Sequence, residues 1–386
     1  FPHVLDAVRD HVHRLEGVRR NRNIKHYRPV FVIMTDLCPT GRIGYYPAKA
    51  FEQGMRLRTG KLPPELLRRM LRHGGAPDKR VLLGPKVGED AAVVKLGPYT
   101  LILKTDPVTY AADMIGWYAV HVNANDVATR GAEPAWFQAT ILLPEGSDDA
   151  LVEDIFRQIS RAAKALGIAI TGGHTEVTPG IDRPIVVGDM HGVLVGGSPV
   201  LTSAAEARDA VVLTKGAGIE GTALIARERR DELLKALDRR TVDRAARYLL
   251  RPGLSVLPEA RAALEFGVHS MHDPTEGGVA MGVREIAEAS GKSIELWADE
   301  VPVGPETRSI CDHYGIDPLG LLGSGALLAT FKQHDAEQYV AALQKRGVQA
   351  RILGKVAAKK GASTLVRGGA STPLSSSERD EVLKVL

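Results

Sequence analysis

His272-Asp273-Pro274-Thr275-Glu276-Gly277-Gly278-Val279 is followed by Val283-Arg284-Glu285-Ile286-Ala287, apolar residues at helical spacing. The two glycines therefore open a helix. Glycine at that place leaves backbone N–H groups free at the helix's positive end, where a phosphate is stabilised. The usual competitors are missing from the chain. It has no Gly-x-x-x-x-Gly-Lys-Ser/Thr loop, no Gly-x-Ser-x-Gly elbow and no His-Glu-x-x-His zinc motif.

Working outward, four more segments combine acids with glycine or polar residues. Gly84-Pro85-Lys86-Val87-Gly88-Glu89-Asp90 is a turn that delivers two carboxylates to the start of a strand. Such a turn suits phosphate and a hard cation such as magnesium, though a plain surface turn reads the same way. Lys104-Thr105-Asp106-Pro107 puts an acid at a strand's end, bordering a ligand or merely capping a turn. Asn125 and Asp126 interrupt an apolar helical run (Ala119, Val120, Val122, Val127, Ala128), where an acid is costly unless paired or coordinated. Ile170-Thr171-Gly172-Gly173-His174-Thr175-Glu176 follows a buried strand with a double glycine, predicting an anion-lining loop; His174 touches phosphate or substrate there, or is incidental. Lys215-Gly216-Ala217-Gly218 is a further glycine turn whose lysine is within reach of a phosphate.

Around these segments the chain mixes strands and helices without a βαβ repeat, so α+β is the expected class. A short helix is predicted over Leu62–Leu71, strands over Ala91–Leu96, Thr100–Lys104, Ala135–Leu143 and Ile168–Thr171, and helices over Gly116–Arg130 and Asp148–Leu166, the last capped by Ser147. Gly196 to Ser203 reads as a hinge. The expected division is an N-terminal extension over 1–60 with a helix-like stretch from Val4 to Arg20, one domain over 61–198, a second over 207–358 and a tail over 359–386.

Composition narrows the function. The 386 residues are 44 % hydrophobic, enough for two cores, and carry net charge +4. Residues 1–50 hold nine Lys/Arg against four Asp/Glu, so the remainder, at 41 against 42, is balanced and no nucleic-acid footprint is expected. No apolar run approaches the roughly 18 residues of a membrane span, and a cytoplasmic protein without a membrane role is expected. Two cysteines, Cys38 and Cys311, make neither a disulfide framework nor a zinc site.

In this order and spacing the segments resemble the AIR synthase-like (PurM-like) superfamily, whose members include AIR synthase, thiamine-monophosphate kinase, selenophosphate synthase and HypE. The run Gly218-Ile219-Glu220-Gly221-Thr222 and the stretch from His272 lean towards HypE, the hydrogenase-maturation member. The resemblance implies a two-domain α+β fold in which a four-stranded N-terminal sheet pairs across a homodimer into a barrel. It implies ATP and Mg2+ as cofactors, with Asp90, Asp106, Asp126 and Asp273 as metal ligands and Glu89 in reserve. Thr105 and Asn125 would orient the nucleotide, Gly172, Gly173, Gly277 and Gly278 would make room for phosphate, and Glu176, His174 and Glu276 would face the acceptor, with Lys86 closing over the phosphates. The implied chemistry is phosphorylation of a carbonyl or amide oxygen, as in carbamoyl dehydration; AIR synthase or thiamine-monophosphate kinase-like activity, and a silent ATP-binding dimeric scaffold, are the alternatives. This chain departs from HypE in carrying His174 and Glu176 where Asp and Lys are common, and in ending Asp380 to Leu386 without a nearby cysteine. A small-molecule or protein-borne acceptor is therefore expected.

Overall fold

The computed structural model describes residues 57, 59–194, 197–358, 361–374 and 379–386. The expected Val4–Arg20 helix and Cys38 lie outside the described residues. The hairpin predicted around Gly97 forms: β2 (Ala92–Leu96) and β3 (Tyr99–Val108) pair antiparallel, Val93 opposite Ile102, with Gly97 at φ 58° in the turn. With β1 (Val81–Leu83), β4 (Glu133–Leu143), β5 (Ala169–Val177) and β6 (Ile185–Leu194) they make a sheet ordered β1-β2-β3-β6-β4-β5. This sheet has six strands, not the four the resemblance implied. β1 is only three residues long, too short for alternation to signal it.

β5 corrects a second expectation. It does not stop at Thr171 but runs on through Gly172 and Gly173, parallel to β4. At Gly173 φ is 152°, and a Cβ there would lie 2.2 Å from the Ala139 carbonyl oxygen. The double glycine permits close strand pairing and opens no loop. All nine β5 residues are exposed along the sheet's outer edge.

Helix α1 spans Pro64–Met70 and buries none of its residues. Helix α2 (Ile115–Thr129) is the centre of the first half, with every residue but Val122 buried. An all-round buried helix needs a partner on each side. Here β3 and β6 take one face and α3 (Asp149–Leu166) another. Asp148, and not Ser147, caps α3: its carboxylate accepts the Leu151 N–H at 2.8 Å, while Ser147 Oγ turns back to the Pro144 carbonyl.

The second sheet is ordered β13-β12-β9-β11-β7-β10-β8, from β7 (Ala210–Thr214), β8 (Ser270–His272), β9 (Ile294–Trp297), β10 (Leu328–Phe331), β11 (Ala350–Val356), β12 (Thr364–Arg367) and β13 (Ala370–Pro373). Its helices are α4 (Ile219–Glu228), α5 (Arg230–Ala236), α6 (Arg239–Ala246), α7 (Leu257–Glu265), α8 (Gly278–Ser290), α9 (Pro305–Tyr314) and α10 (Gln333–Lys345). The stretch expected as a separate tail is built in. β12 runs parallel to β9, and Leu374 and Val382 are buried. The class is α+β, as the mixed element order implied.

Candidate functional site

Three elements bring the acids together where the two halves meet. β3 carries Lys104 and Asp106, two residues apart and so on one face of the strand. One turn of α2 carries Asp126 and Arg130's approach, and β8 delivers His272 and Asp273. Asn123 fixes the first of these: its side-chain oxygen accepts the Asp106 N–H at 2.8 Å and its NH2 donates to the Asp106 carbonyl at 3.2 Å.

Lys104 Nζ lies 3.0 Å from Asp106 and 2.9 Å from Asp126. Burial opposes its charge, but Asp126 and Asp106 outweigh burial and raise its pKa. Arg130, with no exposed side-chain surface, donates to Glu89 at 2.7 Å, Asp90 at 2.8 Å, the Thr202 hydroxyl at 2.7 Å and the Met271 carbonyl at 3.0 Å. His272 bridges two carboxylates, Nδ1 to Asp90 at 2.8 Å and Nε2 to Glu285 at 2.8 Å. Burial disfavours the imidazolium, yet Asp90 and Glu285 lift its pKa to about 10. With both nitrogens engaged, His272 has no lone pair left for a metal, although one of its ring nitrogens and carboxylate oxygens of Asp90 and Asp273 lie within 4.8 Å of one another.

The carboxylates are left in excess. Seven (Glu89, Asp90, Asp106, Asp126, Asp273, Glu276, Glu285) face four cations (Lys61, Lys104, Arg130, His272), a formal −3 if all ionise. Asp273 carries the imbalance. It is 1 % exposed, and neither of its oxygens accepts a hydrogen bond from an N–H or hydroxyl among the described residues. Burial, then Asp126 and Asp90 beside it, push its pKa well above the ordinary range. Asp106 is raised to about 6, by burial and by Asp126 against the pull of Lys104. Four carboxyls crowded together with too few cations, one of them (Asp273) without an N–H or hydroxyl donor, are the arrangement a divalent cation relieves, and Asp90, Asp106, Asp126 and Asp273 offer it oxygen ligands. The donor set fits magnesium.

Other expected residues stand elsewhere. Glu89 is spent: its carboxylate also accepts the N–H groups of Thr202 and Ser203 at 3.1 and 3.2 Å. Thr105 donates its hydroxyl to the Gly188 carbonyl at 2.8 Å, which ties β3 to β6. Asn125 is a staple between halves, its amide donating to the Leu254 carbonyl at 2.9 Å and accepting the Val256 N–H at 3.0 Å. Lys215 is buried against Glu259 at 3.1 Å, not poised for phosphate.

The N–H of Gly277 donates to Asp380 Oδ2 at 2.6 Å and that of Gly278 to the Thr275 carbonyl at 3.0 Å, so both amides expected for phosphate are taken. Gly278 is needed for space as well: at φ 57° its Cβ would meet the Leu321 and Leu319 carbonyls at 2.5 and 2.7 Å. His174 and Glu176 pair with each other at 3.0 Å on exposed β5, three strand positions from β3, and with Gly172 and Gly173 they do not join the acid cluster. Lys86 stays exposed on its turn and pairs with no acid among the described residues. Glu276 sits at the cluster's rim, its carboxylate accepting the Lys61 N–H at 3.1 Å; burial raises its pKa against the pull of Lys61.

Lys104, Arg130, His272 and Glu285 stand within the candidate stretches, but no role for them followed from sequence alone. Signals existed for two: Lys104 shares a strand face with Asp106, and Arg130 follows Asp126 by one helical turn on an apolar helix.

Residues 88–194 match the family model of the AIR synthase related protein N-terminal domain, and residues 206–367 that of its C-terminal domain. A carbamoyl dehydratase HypE of Cupriavidus necator is 31 % identical over 265 residues, 66 % of this chain and 73 % of that protein. The crystal structure of a HypE–HypF complex superposes with TM-score 0.63 at 26 % identity, covering 76 % of this chain and 94 % of that one. A HypE crystallised with ATP has TM-score 0.63 over 82 % of this chain and 91 % of that one; at 23 % identity this is a likeness of fold. No helix among the described residues is long and apolar enough to cross a membrane.

Proposed function

The chain belongs to the AIR synthase related protein family, and on that premise we propose that it is an ATP- and magnesium-dependent enzyme that activates a carbamoyl or amide oxygen by phosphoryl transfer. The observation that carries this is Asp273: a buried carboxyl with no N–H or hydroxyl donor among the described residues, crowded by Asp126 and Asp90, suits a cation. The relation to carbamoyl dehydratases of the HypE kind supports the carbamoyl group as substrate class.

In this reading Asp90, Asp106, Asp126 and Asp273 hold magnesium. When bound, it neutralises charge on the phosphates. Lys104 and Asn123 keep Asp106 and Asp126 in place, and Arg130 and His272 do the same for Asp90. The acceptor's carbonyl oxygen attacks the terminal phosphorus, and the bond to ADP breaks. One N–H proton leaves with that step. The oxygen then departs as phosphate with the second N–H proton, leaving a nitrile. Glu276, at the rim, is the group placed to take a proton from the nitrogen; full turnover by Glu276→Ala dismisses that role.

The exposed edge of β5 supports a homodimer. Ile170 and Val177 on β5 and Phe156 on α3 are about half exposed, and an unpaired apolar edge strand is a ready pairing template. His174 and Glu176 then face the second copy. A HypE has been seen in complex with HypF, and a protein-borne acceptor, or a small molecule, is the expected substrate here.

The test is calorimetric titration of ATP with magnesium into wild type and Asp126→Asn. Binding by the wild type and weakening by roughly tenfold or more (about 1.4 kcal/mol) in the variant is the expected result. Absence of binding by the wild type refutes the nucleotide reading.

A further inference from the structure

We propose that Glu206, Asp209 and His269 form a second metal site, for a zinc-like transition ion, that staples the linker between the halves to the strand bearing His272. It uses no residue of the acid cluster and does not rest on the nucleotide reading.

Glu206 and Asp209 stand on the turn that enters β7, and His269 immediately precedes β8. Backbone bonds hold both places. The Arg208 N–H donates to the Val356 carbonyl at 2.9 Å, and the Val356 N–H donates to the Asp209 carbonyl at 2.8 Å. The His269 N–H donates to the Thr330 carbonyl at 2.9 Å. The turn also closes on itself, the Glu206 N–H donating to Asp209 Oδ2 at 2.7 Å. His269 Nδ1 then lies 2.9 Å from Asp209 Oδ2 and 3.9 Å from Glu206 Oε2. One ligand atom from each residue falls within 4.8 Å of the other two. Metal–ligand bonds of about 2.0–2.1 Å in a tetrahedral shell set ligand atoms roughly 3.3 Å apart, between those two separations.

Charge asks for a cation here. Among the described residues neither acid pairs with a lysine or arginine, and His269 is the one ion-pair partner of both. The Asp209 side chain is 2 % exposed, so water does little to screen it. The ring nitrogen decides which cation. His272 spends both of its nitrogens on carboxylates, whereas His269 Nε2 bonds to no described group. Nε2 therefore holds the ring's proton while Nδ1 gives its lone pair to the metal, and the Nδ1 proton leaves to water. One imidazole with two carboxylates suits zinc, cobalt or nickel, while magnesium prefers oxygen alone. Three protein ligands leave one position for water, and Glu206, with its side chain 65 % exposed, opens the site to solvent. The ion acts by position. Thr202, four residues before Glu206, accepts from Arg130, and His272 follows His269 by three. A metal bridging the turn to His269 fixes both segments where they reach the acid cluster.

The test is calorimetric titration of zinc, in excess magnesium, into the wild type, Glu206→Gln, His269→Ala and Asp273→Asn. One zinc per chain is expected in the wild type. Glu206→Gln and His269→Ala lose roughly tenfold or more in affinity (about 1.4 kcal/mol), and Asp273→Asn stays within about twofold. No binding by the wild type overturns the proposal, as does zinc binding that Glu206→Gln leaves within twofold. Loss in Asp273→Asn places the zinc in the acid cluster and overturns it equally. Thermal melting separates lost binding from lost folding. Exposed Glu206→Gln is expected to melt with the wild type when zinc is absent and to miss the rise that zinc gives the wild type.

Discussion

At the scale of single residues the site is governed by charge that the fold does not itself neutralise. Replacing Asp273 with Asn removes a buried carboxyl crowded by Asp126 and Asp90. The metal-free protein is expected to gain stability, on the order of 1 kcal/mol, while losing magnesium–ATP affinity at least tenfold; melting curves with and without ligand read both. His272 gives a pH signature. Its pKa, raised to about 10, exceeds its unfolded value, so its contribution to stability is full below about pH 6.5 and fades as pH rises towards 10. Metal-free wild type should lose stability across that window more steeply than His272→Gln in denaturant titrations at stepped pH. The acid Asp126 was legible because an ionised group on an apolar helix asks for a reason. Lys61 was not, since nothing local to Thr59-Gly60-Lys61 signals an acid more than 200 positions away.

At the scale of elements, polar residues on α2 divide the labour. Asp126 faces the acids, Asn123 clamps the backbone of β3, and Asn125 holds the segment from Leu254 to Val256. Asn125→Ala therefore leaves a buried carbonyl and a buried N–H without partners, expected to cost about 2–4 kcal/mol in urea unfolding. Its magnesium–ATP affinity should stay within about twofold of wild type, whereas a nucleotide-orienting amide would lose far more. Helix positions came out of the sequence well, because α2 is a long apolar run and α3 has a clear helical period. The glycine pairs did not. Local sequence says that Gly172-Gly173 and Gly277-Gly278 need unusual backbone or tight space, but not whether a phosphate or a neighbouring strand fills it. Here the neighbours are Ala139 and Leu321, and the amides of α8's first turn go to Asp380 and Thr275.

At the scale of the whole molecule, the proposed dimer rests on the edge of β5. Ile170→Asp with Val177→Lys places charges on that edge, and sedimentation is expected to show monomers where the wild type shows dimers; an unchanged dimer rules out this edge as the contact. The two-sheet α+β plan followed from element order, whereas the incorporation of residues 364–373 into the second sheet depended on pairing with distant β9. Arg130 carries a last consequence. It gathers a turn before β2, the linker at Thr202 and the carbonyl of Met271 around one guanidinium, while Asp90 waits for His272. A ribosome that has released only the first sheet has made a polypeptide with half a cluster, still without His272, Asp273 and Glu285. If these acids hold magnesium as proposed, its capture waits until the second half has been synthesised and docked, and an incomplete nascent chain lacks a complete site.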